Sequence, residues 1–407
     1  KVGRVKRAQA RIISDPFTLS PEQPVSEVRE LMARYQVSGV PITDKAGKLV
    51  GILTNRDLRF QEDWNQPIGE VMTKDNLVTV PPDTTMDDAK KLLHKHRIEK
   101  LPIVDSAGKL QGLLTIKDLN KLRDFPNANR DDLGRLRVAA AIGVTDEEME
   151  RAEALIASHV DALVVDTAHG HSTMVAAMVR RVKERFPAID IVAGNVVTPE
   201  GARDLIDAGV DAVKVGVGPG SICTTRVISG AGMPQLTAVM NAVSVAREKG
   251  VPVIADGGIR YSGDVAKALA VGAHCVMIGS LFAGTAESPG HTGLHEGRTC
   301  KEYRGMGSIK AMQRGSKARY MQHDVKDAGK LVPEGVEARV PYRGNLASTV
   351  HQLIGGVRSG MGYCGCPDLA TFRERAEFIR ITAASVAESH PHSITITEEP
   401  PNYQMPR

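Results

Sequence analysis

From residue 133 onward the chain repeats one phrase: a short apolar run, a small or polar residue, then an amphipathic stretch. The apolar runs are 136–142, 162–166, 189–194, 212–216, 252–256 and 275–279, with helical stretches at 146–159, 174–186, 199–208, 236–249 and 262–270. Runs of this length without alternation predict parallel strands buried on both faces by the intervening helices. Asp166, Asn195, Gly216, Asp256 and Gly279 fall at the C-terminal ends of these runs, the end that carries chemistry in a TIM (β/α)8 barrel. A dinucleotide-binding open sheet would want G-x-G-x-x-G after its first strand and an acid about 20 residues on. Here the glycine cluster 216–220 follows a middle strand and contains Pro219. A barrel is the expected architecture. Six strands leave it two short, and residues 1–10 read as a helix tail without an N-cap. The expectation is therefore that 407 residues is a fragment's length, with the first barrel strands lying ahead of residue 1.

The first third repeats itself at an offset of 61. Thr18 falls on Thr79, Pro21 on Pro82, 41–42 on 102–103, Asp44 on Asp105, 46–49 on 107–110, Gly51 on Gly112, Thr54 on Thr115, and 57–58 on 118–119. Each unit reads as an extended segment, a helix (25–35, 86–95), a strand (39–43, 100–104), an A-G-K turn, a second strand (49–54, 110–115) and a helix opened by Asn55 or Ile116. Two such units bury their sheet faces against each other. The pattern resembles a tandem pair of CBS domains over about 14–125, with units 14–74 and 75–125. That resemblance implies a purine nucleotide, ATP or GTP, in the cleft, with Thr54, Asp57, Thr115 and Asp118 on its ribose. Capping of a helix N-terminus is the plainer role for both aspartates.

Composition excludes several classes. Apolar residues make up 42% and charged residues 25%, which is ordinary for a folded domain. A net charge of +4, with no basic block interleaved with aromatics, gives no reason to invoke nucleic acid. No stretch reaches membrane-spanning length. The five cysteines are odd in number and irregular in spacing, which suits a reduced, cytoplasmic protein. Cys364 and Cys366 read as structural, Cys275 as core, and His169 and His171 as a zinc-like spacing without a third ligand.

Gly216 to Arg226 is the most informative stretch. Its glycines let backbone approach a ligand, Ser221 and the loop amides suit an anion, and Cys223 is a candidate nucleophile in a polar loop after a barrel strand. Asp256-Gly257-Gly258 and Gly279-Ser280 close the same face and suit a phosphorylated ribose. Segment 290–345 is long, rich in Gly, Lys and Arg, and weak in periodicity, the profile of a mobile flap.

With GPGSICTTR (218–226), DGGI (256–259), MIGSLFAGT (277–285), EYRGMGS (302–308), Arg319-Tyr320 and LVPEGVEARVPYRG (331–344), the chain resembles the inosine-5'-monophosphate (IMP) dehydrogenase family over essentially its whole length. In that architecture a CBS pair is inserted in the barrel. The resemblance implies residues 1–13 as the end of an N-terminal barrel segment and 126–407 as the catalytic remainder. It implies oxidation of IMP to xanthosine 5'-monophosphate (XMP) with NAD+: Cys223 attacks C2, hydride leaves, and Arg319 with Tyr320 activates the water that releases the thioimidate, Thr225 serving both steps. Ser221, Asp256, Gly258, Gly279, Ser280 and Tyr303 match the ribose-phosphate contacts, and Met306, Gly307 and Glu334 the base contacts. Asp166 and Asn195, with Gly216 and Gly218, match the cofactor side. A K+ ion is implied at Gly218, Gly220 and Cys223, completed by Glu388, Ser389 and His390 of a neighbouring copy in a homotetramer, which paired CBS modules join into octamers. Ala338, Met321 and Lys310 depart from the family's flap pattern. Two alternatives stay open: an NADPH-dependent GMP reductase, which has no need of Arg319-Tyr320, and a non-catalytic nucleotide sensor, in which Cys223 and Arg319 would have no purpose.

Overall fold

In the repeat, apolar residues recur at matching positions, so two hairpins form alike. The computed structural model describes residues 1–8, 13, 16–35 and 37–403, so the expected start of the insert at residue 14 lies outside them. The chain divides into two compact units, Lys1–Val138 with Ser158–Val160, and Ala139–Ala157 with Asp161–Arg407. In the first, β1 (Gly39–Thr43) pairs antiparallel with β2 (Leu49–Thr54), and β3 (Lys100–Val104) with β4 (Leu110–Thr115). Helix Val25–Tyr35 covers one hairpin around Val28, Ile42 and Leu53; helix Met86–His96 covers the other around Leu93, Leu101 and Leu114. The A-G-K turns close on Asp44 and Asp105, each accepting two backbone N–H bonds at 2.9–3.0 Å. These turns also interlock: Leu49 N–H donates to the Gly108 carbonyl (3.0 Å) and Leu110 N–H to that of Gly47 (3.1 Å). Ile13 bridges to Leu113 and Thr73 to Ile52, so each hairpin is extended by the segment leading into the other unit. Lys6, on helix Val2–Ala8, reaches Asp131 at 3.0 Å.

One element differs from expectation. Helix Ile116–Asp124 opens on Thr115, which accepts the Asp118 N–H (3.3 Å), but no helix follows Asn55. Both the N–H and the hydroxyl of Thr54 donate to Asp57 (2.7 Å each), and Thr73 donates to the other carboxylate oxygen (3.0 Å). The carboxylate ties the chain back to the strand end as successive turns. Leu58 packs on the hairpin core but Phe60 is 87% exposed, so the stretch has no helix-long apolar face to bury.

The second unit is built on six parallel strands: β5 (Ala139–Ile142), β6 (Ala162–Asp166), β7 (Asp190–Val196), β8 (Ala212–Val215), β9 (Val253–Asp256) and β10 (Cys275–Met277). They stand in the sheet in chain order. A doubly wound sheet reverses order at a switch point, whereas an unbroken succession of βα units is an arc of a (β/α)8 barrel. Helix Pro199–Asp207 illustrates the local rules: Thr198 caps it by accepting the Gly201 N–H (3.1 Å), and Pro199 takes the first turn. β5 and β10 are the sheet's edges among the described residues. For that reason Cys275, read as core, is exposed.

Segment 290–345 also departs from expectation. It holds a three-stranded antiparallel sheet of β11 (Thr292–His295), β12 (Arg298–Arg304) and β13 (Glu337–Pro341), and a short helix Ile309–Gln313. These strands are mostly exposed, so they carry no apolar alternation to read. The legible signal is Glu296-Gly297, a two-residue turn with φ of 48° and 74°. Lys301 anchors the sheet: 2% exposed, it donates to the carbonyls of Thr285 (2.7 Å), Ala286 (3.4 Å) and Ser288. No helix among the described residues is long and apolar enough to cross a membrane.

Candidate active site

β8 runs straight into the loop that bears Cys223. Gly216 has φ 143°, and a Cβ there would stand 2.2 Å from the Asp256 carbonyl oxygen. Only glycine lets the end of β8 lie this close to β9. Arg226 fastens the loop, donating from Nε to the Val217 carbonyl (3.1 Å) and from Nη2 to that of Met233. Within it the Cys223 N–H donates to the Gly220 carbonyl (3.0 Å) and Sγ to Thr225 Oγ1 (3.2 Å). Thr225 is buried at the start of helix Thr225–Ile228; Ser221 is exposed.

The 290–345 segment closes over this loop through backbone pairing. Thr224 N–H donates to the Glu334 carbonyl (3.0 Å) and Val336 N–H to that of Ile222 (3.1 Å), bridging Cys223 to Gly335. Glu334 N–H donates to the Gly307 carbonyl and Gly305 N–H to that of Val336, both at 3.0 Å. A Cβ at Gly307 would meet the Tyr320 ring at 2.8 Å and Glu334 backbone at 2.9 Å. Met306 beside it is 56% exposed.

Arg319 and Tyr320 are carried in by the same segment. The Arg319 carbonyl accepts the Ala168 N–H (3.0 Å), and Nη1 donates to Asp166 Oδ2. Burial works against the guanidinium's charge, but Asp166 and Tyr320 outweigh it and raise the pKa. Burial raises Tyr320 as well, with Arg319 opposing and Cys223 adding, so its phenol stays protonated.

Asp166, Asn195 and Asp256, from the ends of β6, β7 and β9, meet at one nitrogen. Lys214 Nζ on β8 pairs with Asp166 Oδ1 (3.0 Å) and Asp256 Oδ2, and donates to Asn195 Oδ1. Asn195 Nδ2 donates to the Gly216 carbonyl (2.7 Å) and to Asp256 Oδ2 (3.0 Å). Sequence reasoning missed Lys214, although a charge inside the apolar run 212–215 was there to see. Gly257 and Gly258 follow Asp256 with φ of 90° and 79°. Gly279 precedes Ser280 and helix Ser280–Ala283, and the Tyr303 hydroxyl lies 2.5 Å from where a Gly279 Cβ would be. Burial, then Asp256, raises the Tyr303 pKa. Asp166, Gly279, Tyr303, Met306 and Arg319 line one cavity of about 2100 Å3.

Other predicted residues lie apart. His390 sits just past helix Ala383–Glu388 with Nδ1 at 2.8 Å from the Tyr403 hydroxyl, in an aromatic group with Tyr261. His171 pairs with Asp204 (2.9 Å), and no cluster of three His, Cys, Asp or Glu among the described residues has metal-binding geometry. Thr54–Asp57 and Thr115–Asp118 are mutually hydrogen-bonded in the first unit, Asp118 being 6% exposed.

Residues 1–392 match the IMP dehydrogenase / GMP reductase domain family. Among similar curated proteins, the inosine-5'-monophosphate dehydrogenases of Halalkalibacterium halodurans and Streptococcus pyogenes are each 55% identical, over 405 and 407 residues, and that of Bacillus subtilis is 54% identical over 407. Each alignment covers 100% of this chain and 83% of the relative. Among solved structures, a GMP reductase variant from Trypanosoma brucei in complex with guanosine 5'-monophosphate superposes with a TM-score of 0.86 at 39% identity, covering 97% of this chain and 82% of that one.

Proposed function

Since this chain belongs to the IMP dehydrogenase / GMP reductase family, we propose that of the two activities in that name it carries the first, oxidising IMP to XMP with NAD+ in guanine nucleotide synthesis. The observation that carries this reading is the Arg319-Tyr320 pair in the site, Arg319 bonded to Asp166 and Tyr320 set against Gly307 within electrostatic reach of Cys223, since a reductase has no water to activate. Identity points the same way, at 55% with dehydrogenases and 39% with the reductase structure.

Cys223 is the nucleophile. Its thiol donates toward Thr225 Oγ1; the thiolate forms a bond to C2 of the purine, and the C2 hydrogen departs with its electron pair. NAD+, when bound, accepts that hydride. The cavity lined by Asp166 is large enough for a dinucleotide. Asp166 is an acceptor for its ribose, and Asn195, 5% exposed and bonded to Lys214, Gly216 and Asp256 rather than lining that cavity, is assigned to the carboxamide side. Asp256, Gly258, Gly279, Ser280, Ser221 and Tyr303 hold the ribose phosphate, with Met306, Gly307 and Glu334 on the base. Water then attacks C2, its proton goes to the base, and the C–S bond breaks to return the thiolate with XMP. Arg319 is paired with Asp166 and cationic here, so its service as base requires that pair to open. Covalent attack divides one difficult displacement into two easier ones.

Gly218, Gly220 and Cys223 carbonyls are hard, uncharged donors suited to K+, although the Gly220 oxygen already accepts one N–H. Glu388, Ser389 and His390 reach such an ion from a neighbouring copy in a tetramer. The Thr-Asp pairs of the first unit hold ATP or GTP. Mixing the protein with IMP and NAD+ and following NADH absorbance tests the central claim. Turnover in the wild type and none in Cys223→Ala is expected. NADPH consumption on guanosine monophosphate, without NADH formation, would establish the reductase instead.

A further inference from the structure

Lys214 belongs to neither substrate's proposed contact set, yet it is 3% exposed and joins both. Its Nζ is ion-paired with Asp166 Oδ1 at 3.0 Å and donates to Asp256 Oδ2 and Asn195 Oδ1. Two carboxylates within reach of one nitrogen repel each other, and a cation between them offsets that repulsion. Arg319 pairs with Asp166 Oδ2 from the other side, so the row reads Arg319, Asp166, Lys214, Asp256: two cations and two anions. When Arg319 leaves, Lys214 is the one remaining cation of that row.

Resting on the reading above, in which Asp256 holds the IMP ribose and Asp166 the cofactor side, we infer that Lys214 is a positioning residue that couples the two subsites. It fixes the Asp256 carboxylate for the substrate while leaving Asp166 Oδ2 free to exchange Arg319 for a cofactor hydroxyl. Without it, the Asp166 charge acts directly on Asp256, and Asp166 binds Arg319 more tightly. Substrate affinity then depends on a residue that does not touch substrate.

The test is calorimetric titration of IMP, with no cofactor present, into the full chain and its Lys214→Met, Lys214→Arg, Asp166→Asn and Lys214→Met/Asp166→Asn variants. Steady-state rates are measured in parallel. Lys214→Met is expected to weaken IMP binding about tenfold and raise the NAD+ KM more than it lowers kcat. Asp166→Asn alone changes IMP affinity less than threefold, and adding it to Lys214→Met recovers at least threefold of the loss. Lys214→Arg stays within about threefold of wild type. A lysine that merely stabilised the barrel would give no recovery on removing Asp166; additive effects, or unchanged IMP affinity in Lys214→Met, overturn the coupling while leaving the dehydrogenase reading intact. If Lys214→Met does not accumulate, Lys214→Gln takes its place in the same cycle. A wild-type chain that binds no IMP overturns both.

Discussion

Replacing Gly216 by alanine probes the junction on which the proposed site depends. The new Cβ would lie 2.2 Å from the Asp256 carbonyl oxygen, where ordinary contact begins at 3.4 Å. The ends of β8 and β9 must therefore separate by roughly 1 Å, a misplacement that costs on the order of 100-fold in rate when it moves reacting groups. A non-glycine residue at φ 143° adds about 1–3 kcal/mol of strain. Both the Cys223 loop and Asp256 move, so turnover and IMP affinity should fall together. Gly263, in helix Ser262–Ala270, is the control: a Cβ there meets nothing within 4 Å. Gly263→Ala should keep full activity and gain about 0.5–1 kcal/mol. NADH formation and thermal melting measure both variants. If Gly216→Ala retains activity within threefold of wild type, the steric reasoning is wrong.

Two further predictions concern the first unit. Burial tends to raise the Asp131 carboxyl, but Lys6 and Arg135 overcome it and hold it at about 2, against 3.8. A depressed carboxylate stabilises above its unfolded pKa, so about 2 kcal/mol is present at neutral pH and is lost as pH falls from about 4 through 2. The stability difference between wild type and Asp131→Asn, from denaturant melts, should shrink over that range; a constant difference would contradict the assignment. Asp118 is the opposite case: burial raises its pKa despite the Thr115 bond, so its charge destabilises the fold at neutral pH. Asp118→Asn should raise the unit's melting temperature while weakening ATP or GTP binding about tenfold; a lower melting temperature would count against a carboxylate kept for ligand.

Where burial dictated residue type, the fold could be read directly. β6 and the two hairpins of the first unit match their expected limits, since apolar runs bounded by turn chemistry leave little freedom. The stretch after Asn55 was illegible because a long-range bond, from Thr73 to Asp57, decides it. Strands β11 to β13 were illegible because exposed backbone pairing leaves no hydrophobic trace. Motif residues such as Cys223, Asp256 and Arg319 were identifiable from the resemblance, but Lys214 was not, since its meaning lies in three other strands that meet only in space.

The ammonium of Lys301, ringed by the carbonyls of residues 285, 286 and 288, is in effect a monovalent cation that cannot dissociate. The anchorage of segment 290–345 is thus indifferent to which salt surrounds the protein. A cation held by the carbonyls of the Cys223 loop would exchange with solution. Dependence of the rate on potassium or sodium would therefore report on the loop that bears the thiol and not on the Lys301 anchor of segment 290–345.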